Sequence, residues 1–126
     1  MPITNFPEYA RNLQVAIDEL IATGEARLVD LEIDSRSRLR GFIAGVLQFQ
    51  NDTELHFREF VDISQSDPRL MYAYHYQDDQ KKLIFRYDNA PHRPALPQLD
   101  HKHTLDKIEP ANAPTFGQVL DEILVW

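Results

Sequence analysis

The sequence predicts an α+β domain: a curved five-stranded antiparallel β-meander with an N-terminal and a C-terminal helix, formed as one unit by residues 1–126. Three observations predict it. Apolar residues recur at helical spacing near both ends of the chain, they alternate at period two between residues 26 and 88, and Pro110 and Pro114 fence off the last segment.

In the first helix, Pro7 stands near the start, where a missing N–H does no harm. Tyr9, Leu13, Ala16, Ile17, Leu20 and Ile21 then recur at helical spacing until Gly24. From Ala26 the period changes: Val29, Leu31 and Ile33 alternate with Asp30, Glu32 and Asp34, as in a half-buried strand. After a turn at Ser35-Arg36-Ser37, residues 38–49 form a second strand. Its Phe42, Ala44 and Val46 alternate with Ile43 and Leu47, so it is apolar on both faces and central. Gly41 and Gly45 interrupt it and mark either a bulge or a place where another element packs close. Beyond Asn51-Asp52, residues 53–63 form a third strand with Leu55, Phe57 and Val61 on one face and His56, Arg58, Phe60 and Asp62 on the other. Glu59 falls on the apolar face, where a carboxylate needs a partner or a purpose.

Residues 70–78 and 82–88 form a hairpin. A two-residue turn at Asp79-Gln80 would set Tyr76 opposite Leu83, Tyr74 opposite Phe85 and Tyr72 opposite Tyr87. The large rings then share the core face, and His75, Arg86 and Asp88 share the other. A three-residue turn is expected to mix rings with charges. The stretch after the hairpin is rich in proline and histidine and has no period, so it reads as a loop. Thr115 and Gln118 then make a capping box for a helix with Phe116, Val119, Leu120, Ile123 and Leu124 on one face.

Composition narrows the chemistry. With no cysteine there is no disulfide, no zinc-thiolate site and no thiol nucleophile. The net charge of −7 argues against a sequence-blind nucleic-acid binder. Residues 67–107 nevertheless carry a balance of +1 with four histidines besides, which allows a locally positive site on an acidic body. Such a body suits a basic protein partner outside and a polyanion within. The N-terminal residues lack a basic region followed by an apolar run, and no segment reaches membrane-spanning length, so a cytoplasmic protein without membrane contact is expected.

Residues 72–103 hold four of the five histidines and four of the five tyrosines. His101 and His103 alternate and would point the same way in an extended segment, as a metal site requires, with His92 or Asp88 as a third ligand. The same residues suit metal-free RNA cleavage. That reaction needs a base for the 2′-hydroxyl, an acid for the 5′-oxygen and a fixed cation on the phosphate, which two imidazoles and Arg86 supply. Against both stands a structural reading, favoured by spacing alone, in which Arg86, Asp88 and Asn89 tie down a strand end. Tyr72, Tyr74 and Tyr76 read as core, and Arg36, Arg38 and Arg40 as a solvated edge.

The runs YAYHYQD, LIFRYDNAPHRP and HKH, with a terminal helix of VLDEI type after them, resemble the TumE family of small bacterial and archaeal toxins of toxin-antitoxin operons. The resemblance covers most of the chain from the first strand onward. It implies a growth-inhibiting toxin encoded beside a small helix-turn-helix antitoxin, with ribonuclease activity, and it carries Arg86, Tyr87, Asp88, Asn89, Pro91, His92, His101 and His103 as the family's positions. One departure is the stretch Pro97-Gln98-Leu99-Asp100, where the family's loop is richer in histidine. Residues and resemblance together nominate Arg86, Asp88, His92, His101, His103 and Glu59 as catalytic, with Glu59 or Asp88 orienting an imidazole. Tyr87, Asn89, His75 and Lys102 are nominated to bind substrate, and neither metal nor cofactor is expected. RNA and a second copy of the chain are further expected partners. The alternatives are a non-catalytic binding module that inhibits a cellular target, and a metal-dependent hydrolase built on the His-x-His pair.

Overall fold

A computed structural model describes residues 2–90 and 99–125. Among them are two helices and one antiparallel sheet. The sheet has seven strands rather than five and is open: β1 (Ala26–Ser35), β2 (Arg40–Phe49), β3 (Glu54–Asp62), β4 (Arg69–Gln77), β5 (Leu83–Asp88), β6 (His101–His103) and β7 (Ile108–Pro110), each paired with its neighbour in sequence. The two added strands lie in the stretch expected to be a loop. Their three residues each are too short to show a period, and backbone pairing of Asp88 with His101 and Arg86 with His103 holds β6 to β5.

Helix α1 (Phe6–Ala22) is capped by the Asn5 side chain, which accepts from the Glu8 amide at 2.9 Å, and its buried stripe is Phe6, Ala10, Leu13, Ile17 and Leu20. Helix α2 (Phe116–Leu124) opens with the expected Thr115–Gln118 capping box and buries Phe116, Val119, Leu120 and Ile123, while Leu124 is exposed. Both helices cover the same face of the sheet. Phe6 lies over Gly41, where a Cβ would collide with its ring, and the Phe116 ring sits 4.9 Å from that of Phe57. Ile43, Leu47, Leu55, Val61, Tyr72, Tyr74, Tyr76 and Phe85 complete this core.

Three irregularities decide which side chains reach which face. A bulge between Leu28 and Asp30 places Leu28 opposite Leu47, so that Leu28, and not Val29, joins the core; Val29 is left exposed. A second, at Leu70 on β4, which is skipped between the pairs Phe60–Met71 and Val61–Arg69, sets Arg69 opposite Val61 and so turns Arg69 toward the helices.

The third corrects the hairpin. Its turn closes on three residues, 79–81, with the Lys81 amide donating to the Asp78 carbonyl at 3.0 Å and Lys81 at φ 63°. The register is Tyr76 with Phe85, Tyr74 with Tyr87 and His75 with Arg86, two residues from the expected one. A three-residue turn does not mix the faces, because the irregularity between Tyr76 and Gln77 leaves Ile84 without a cross-strand partner and restores parity. Tyr74 and Phe85 are therefore both buried under the helices, while His75 and Arg86 face the other way.

Candidate functional site

Cross-strand partners in an antiparallel sheet point to the same face, so the pairings assemble rows of side chains. On the face away from the helices, His56, His75, Arg86 and His103 form one row across β3 to β6, and Arg58, Ala73, Asp88 and His101 form the next. The first row runs as a chain of near contacts. The His56 and His75 rings meet edge-on at 6.3 Å, and Arg86 places a terminal nitrogen 3.4 Å from His75 Nδ1. A groove of about 470 Å³ covers the part of these rows on β3, β4 and Arg86, floored by Ala44, Val46 and Ala73 and edged by His56, Arg58, His75 and Arg86.

Asp88 is the node. Its Oδ1 lies 2.5 Å from His101 Nε2, its Oδ2 accepts from Arg86 Nε at 2.7 Å, and Oδ2 stands 3.4 Å from His103 Nε2. Burial pushes the carboxyl up, but the bonds from Arg86 and the Ala90 amide, with the charge on His101, outweigh it and hold the group below the usual carboxylate range. His101 is buried, with Nδ1 2.5 Å from the Leu99 carbonyl and Nε2 against Asp88, so both ring nitrogens are engaged and the ring positions Asp88. His103 is half-buried and packs its ring 4.7 Å from that of His101. His75 is pushed below the ordinary histidine range by burial and then by the positive charge of Arg86. Asp88, His101 and His103 also present three ligand-type atoms within 4.8 Å of one another.

Other nominated residues are placed elsewhere. Glu59 is buried on the helix face, accepting from the Tyr9 and Tyr74 hydroxyls, and meets no imidazole. Burial first, and then the Glu59 charge, push both phenols well above the ordinary tyrosine range. Arg69 donates to the Tyr74 hydroxyl at 3.0 Å and to the Pro114 carbonyl, completing a network that fastens α1 and the α2 approach to the sheet. Tyr87 and Lys102 also point to the helices, where the Tyr87 hydroxyl donates to Glu122 at 2.6 Å and Lys102 Nζ at 3.0 Å. Asn89 is spent on backbone: its Oδ1 accepts from the Tyr72 amide at 3.1 Å and its Nδ2 donates to the Leu70 carbonyl at 3.2 Å. His92 lies outside the described residues.

His56 and Arg58 were not nominated from sequence. The available signal was parity, since both fall on the polar face of β3, and what hid them was the unknown register of β3 against β4. No helix among the described residues is long and apolar enough to cross a membrane.

Comparison with known proteins agrees with the motifs. A family model described as Toxin TumE matches residues 17–126. No curated protein and no solved structure matches the chain.

Proposed function

The chain belongs to the TumE family of toxins, and from that premise we propose that it is the toxin of a toxin-antitoxin pair and acts as a metal-independent endoribonuclease on the open face of the sheet. The observation that carries this reading is the row His75, Arg86, His103, which sets a permanent cation between two imidazoles, with His75 and Arg86 edging the groove. Arg86 is oriented through Nε by Asp88 and offers the rest of its fork to a phosphate. His75, held neutral by burial and by Arg86, is suited to take the 2′-hydroxyl proton. The resulting oxyanion attacks the adjacent phosphorus, the bond to the 5′-oxygen breaks, and a 2′,3′-cyclic phosphate forms. His103, whose Nε2 stands 3.4 Å from Asp88 Oδ2, delivers a proton to the departing oxygen. His101 positions Asp88. His92 is kept as the sequence's nominee for the same proton transfers.

An antitoxin is the partner the family implies, and a small helix-turn-helix protein is proposed for it. The chain's charge of −7 suits a basic surface on that protein.

The test is cleavage of purified RNA with chelator present by the wild type and by Arg86→Ala, His75→Ala, His92→Ala and His103→Ala, with each fold checked by circular dichroism. Positioned acid-base groups contribute about 10² to 10⁴ each. Wild-type cleavage in chelator, with losses of that size in Arg86→Ala, His75→Ala and His103→Ala, is expected. Growth inhibition that persists undiminished in all four variants, without cleavage by any, would point to a non-catalytic inhibitor instead.

A further inference from the structure

We infer that Asp88, His101 and His103 form a binding site for one divalent first-row transition ion, such as zinc or iron(II), with two imidazole nitrogens and one carboxylate oxygen as its protein ligands. Such a site is independent of the ribonuclease reading, since it concerns binding and not cleavage.

The first support is the donor set. His101 Nε2, His103 Nε2 and the Asp88 oxygens converge, with separations of 2.5 Å and 3.4 Å along the two histidine–aspartate contacts. Ligands about 2.0 to 2.2 Å from a metal stand roughly 3 to 3.5 Å apart, so an ion enters by widening the His101 contact by about 1 Å. Imidazole nitrogen selects transition ions over magnesium or calcium, which prefer oxygen.

The second support is how the donors are held. The Leu99 carbonyl can only accept, so the His101 Nδ1 facing it at 2.5 Å carries the hydrogen and Nε2 is aimed at Asp88. A ring fixed through its far nitrogen by a backbone carbonyl is the arrangement that orients metal-bound histidines. Asp88 is fixed likewise, by Arg86 Nε on Oδ2 at 2.7 Å and the Ala90 amide on Oδ1 at 3.2 Å. A lone pair on Nε2 and a carboxylate oxygen repel at 2.5 Å unless something positive lies between them. Either a proton or a metal ion answers that need, and the two compete for one place.

The neighbouring chemistry would feel the ion. Metal bound to His103 Nε2 withdraws that nitrogen from proton transfer, so zinc opposes metal-free cleavage.

Untagged protein, stripped with chelator and dialysed, is titrated with cobalt(II) while its visible absorption is recorded, then with zinc to displace the cobalt. Zinc binding is measured separately by calorimetry. One ion per chain is expected, with affinity falling at least tenfold in His103→Ala and in His101→Ala. It stays unchanged in His56→Ala and His75→Ala, which test the other histidine pair of the same face. Should His101→Ala fail to fold, the half-buried His103→Ala still decides the matter. Zinc should also raise the melting temperature of the wild type and not of His103→Ala. Absence of binding at micromolar concentration, or binding that survives His103→Ala and disappears in His75→Ala, overturns the site. These readouts are independent of RNA, so a chain that binds zinc and cleaves nothing would retain the metal site and lose only the ribonuclease reading.

Discussion

Arg86 and Asp88, two residues apart on β5, point to one face and share a bond of 2.7 Å from guanidinium Nε to carboxylate Oδ2. Asp88 is buried and Arg86 only half so, which separates the cost of losing each. Removing the carboxylate strands buried His101 as well, and about 3 kcal/mol of stability should be lost in Asp88→Ala. Arg86→Ala should cost about 1 kcal/mol, with a coupling of roughly 1 kcal/mol between the two in a double-mutant cycle by urea unfolding. A coupling of zero would mean that the bond does not orient the guanidinium.

Glu59 supplies a contrasting prediction. Deleting the carboxylate leaves the Tyr9 and Tyr74 hydroxyls without their acceptor and removes the negative charge that acts on Arg69, so Glu59→Ala should cost about 3 to 5 kcal/mol by urea unfolding. Under conditions where the variant stays folded, RNA cleavage per molecule should be unchanged. A folded Glu59→Ala that has lost cleavage would return Glu59 to the site.

His75 makes stability depend on pH. Its ordinary value is 6.5 and the folded state lowers it, so the unfolded chain binds the proton more readily. The stabilisation is therefore present above pH 6.5 and is lost as pH falls from there through the lowered folded value. The groups facing His75 are Arg86, His56 and Gln77. His75→Gln should lose less stability than the wild type between pH 6.5 and 5, measured as the shift in urea midpoint. Equal slopes would contradict the assignment.

Lys81 occupies a backbone conformation that favours glycine, with φ 63° in the three-residue turn. Lys81→Gly should relieve about 1 kcal/mol of strain, partly offset by the greater freedom of glycine in the unfolded chain. A small rise in melting temperature is expected, and a fall would show that the Lys81 side chain stabilises the turn.

How far the sequence could be read depended on parity. Parity read through a two-residue turn set Tyr74 with Phe85 on one face and His75 with Arg86 on the other, and those faces hold although the turn has three residues. It could not give the bulge at Ile84, since an extra residue in one strand leaves no mark in the pattern of the other. The same limit applied to Val29. Glu59 was correctly seen on the apolar face, yet its acceptor role belongs to Tyr9 and Tyr74, because parity sets it opposite the histidines. Tyr87 and Lys102 looked like site residues by their closeness in sequence to Arg86, Asp88, His101 and His103. Being one position away from these in a strand, they take the other face and meet Glu122. β6 and β7 escaped notice because their pairing uses backbone groups, to which the side-chain pattern is blind.

In the meander every strand pairs only with its neighbour in sequence. Chain closure between strands is therefore local, and folding can proceed by adding hairpins one after another, a route of low entropic cost. The helices pack on β1 to β4 through Phe6, Tyr9 and Phe116, whereas β6 is three residues long and is tied to α2 through Lys102 and Glu122. Amide hydrogen exchange should accordingly be slowest in β2 and β3 and faster in β6, where His101 and His103 reside. The part of the site that carries His101 and His103 can thus open while the part that carries His56 and Arg58 stays fixed, and whatever ligand bridges β5 and β6 acts as the clasp of the sheet.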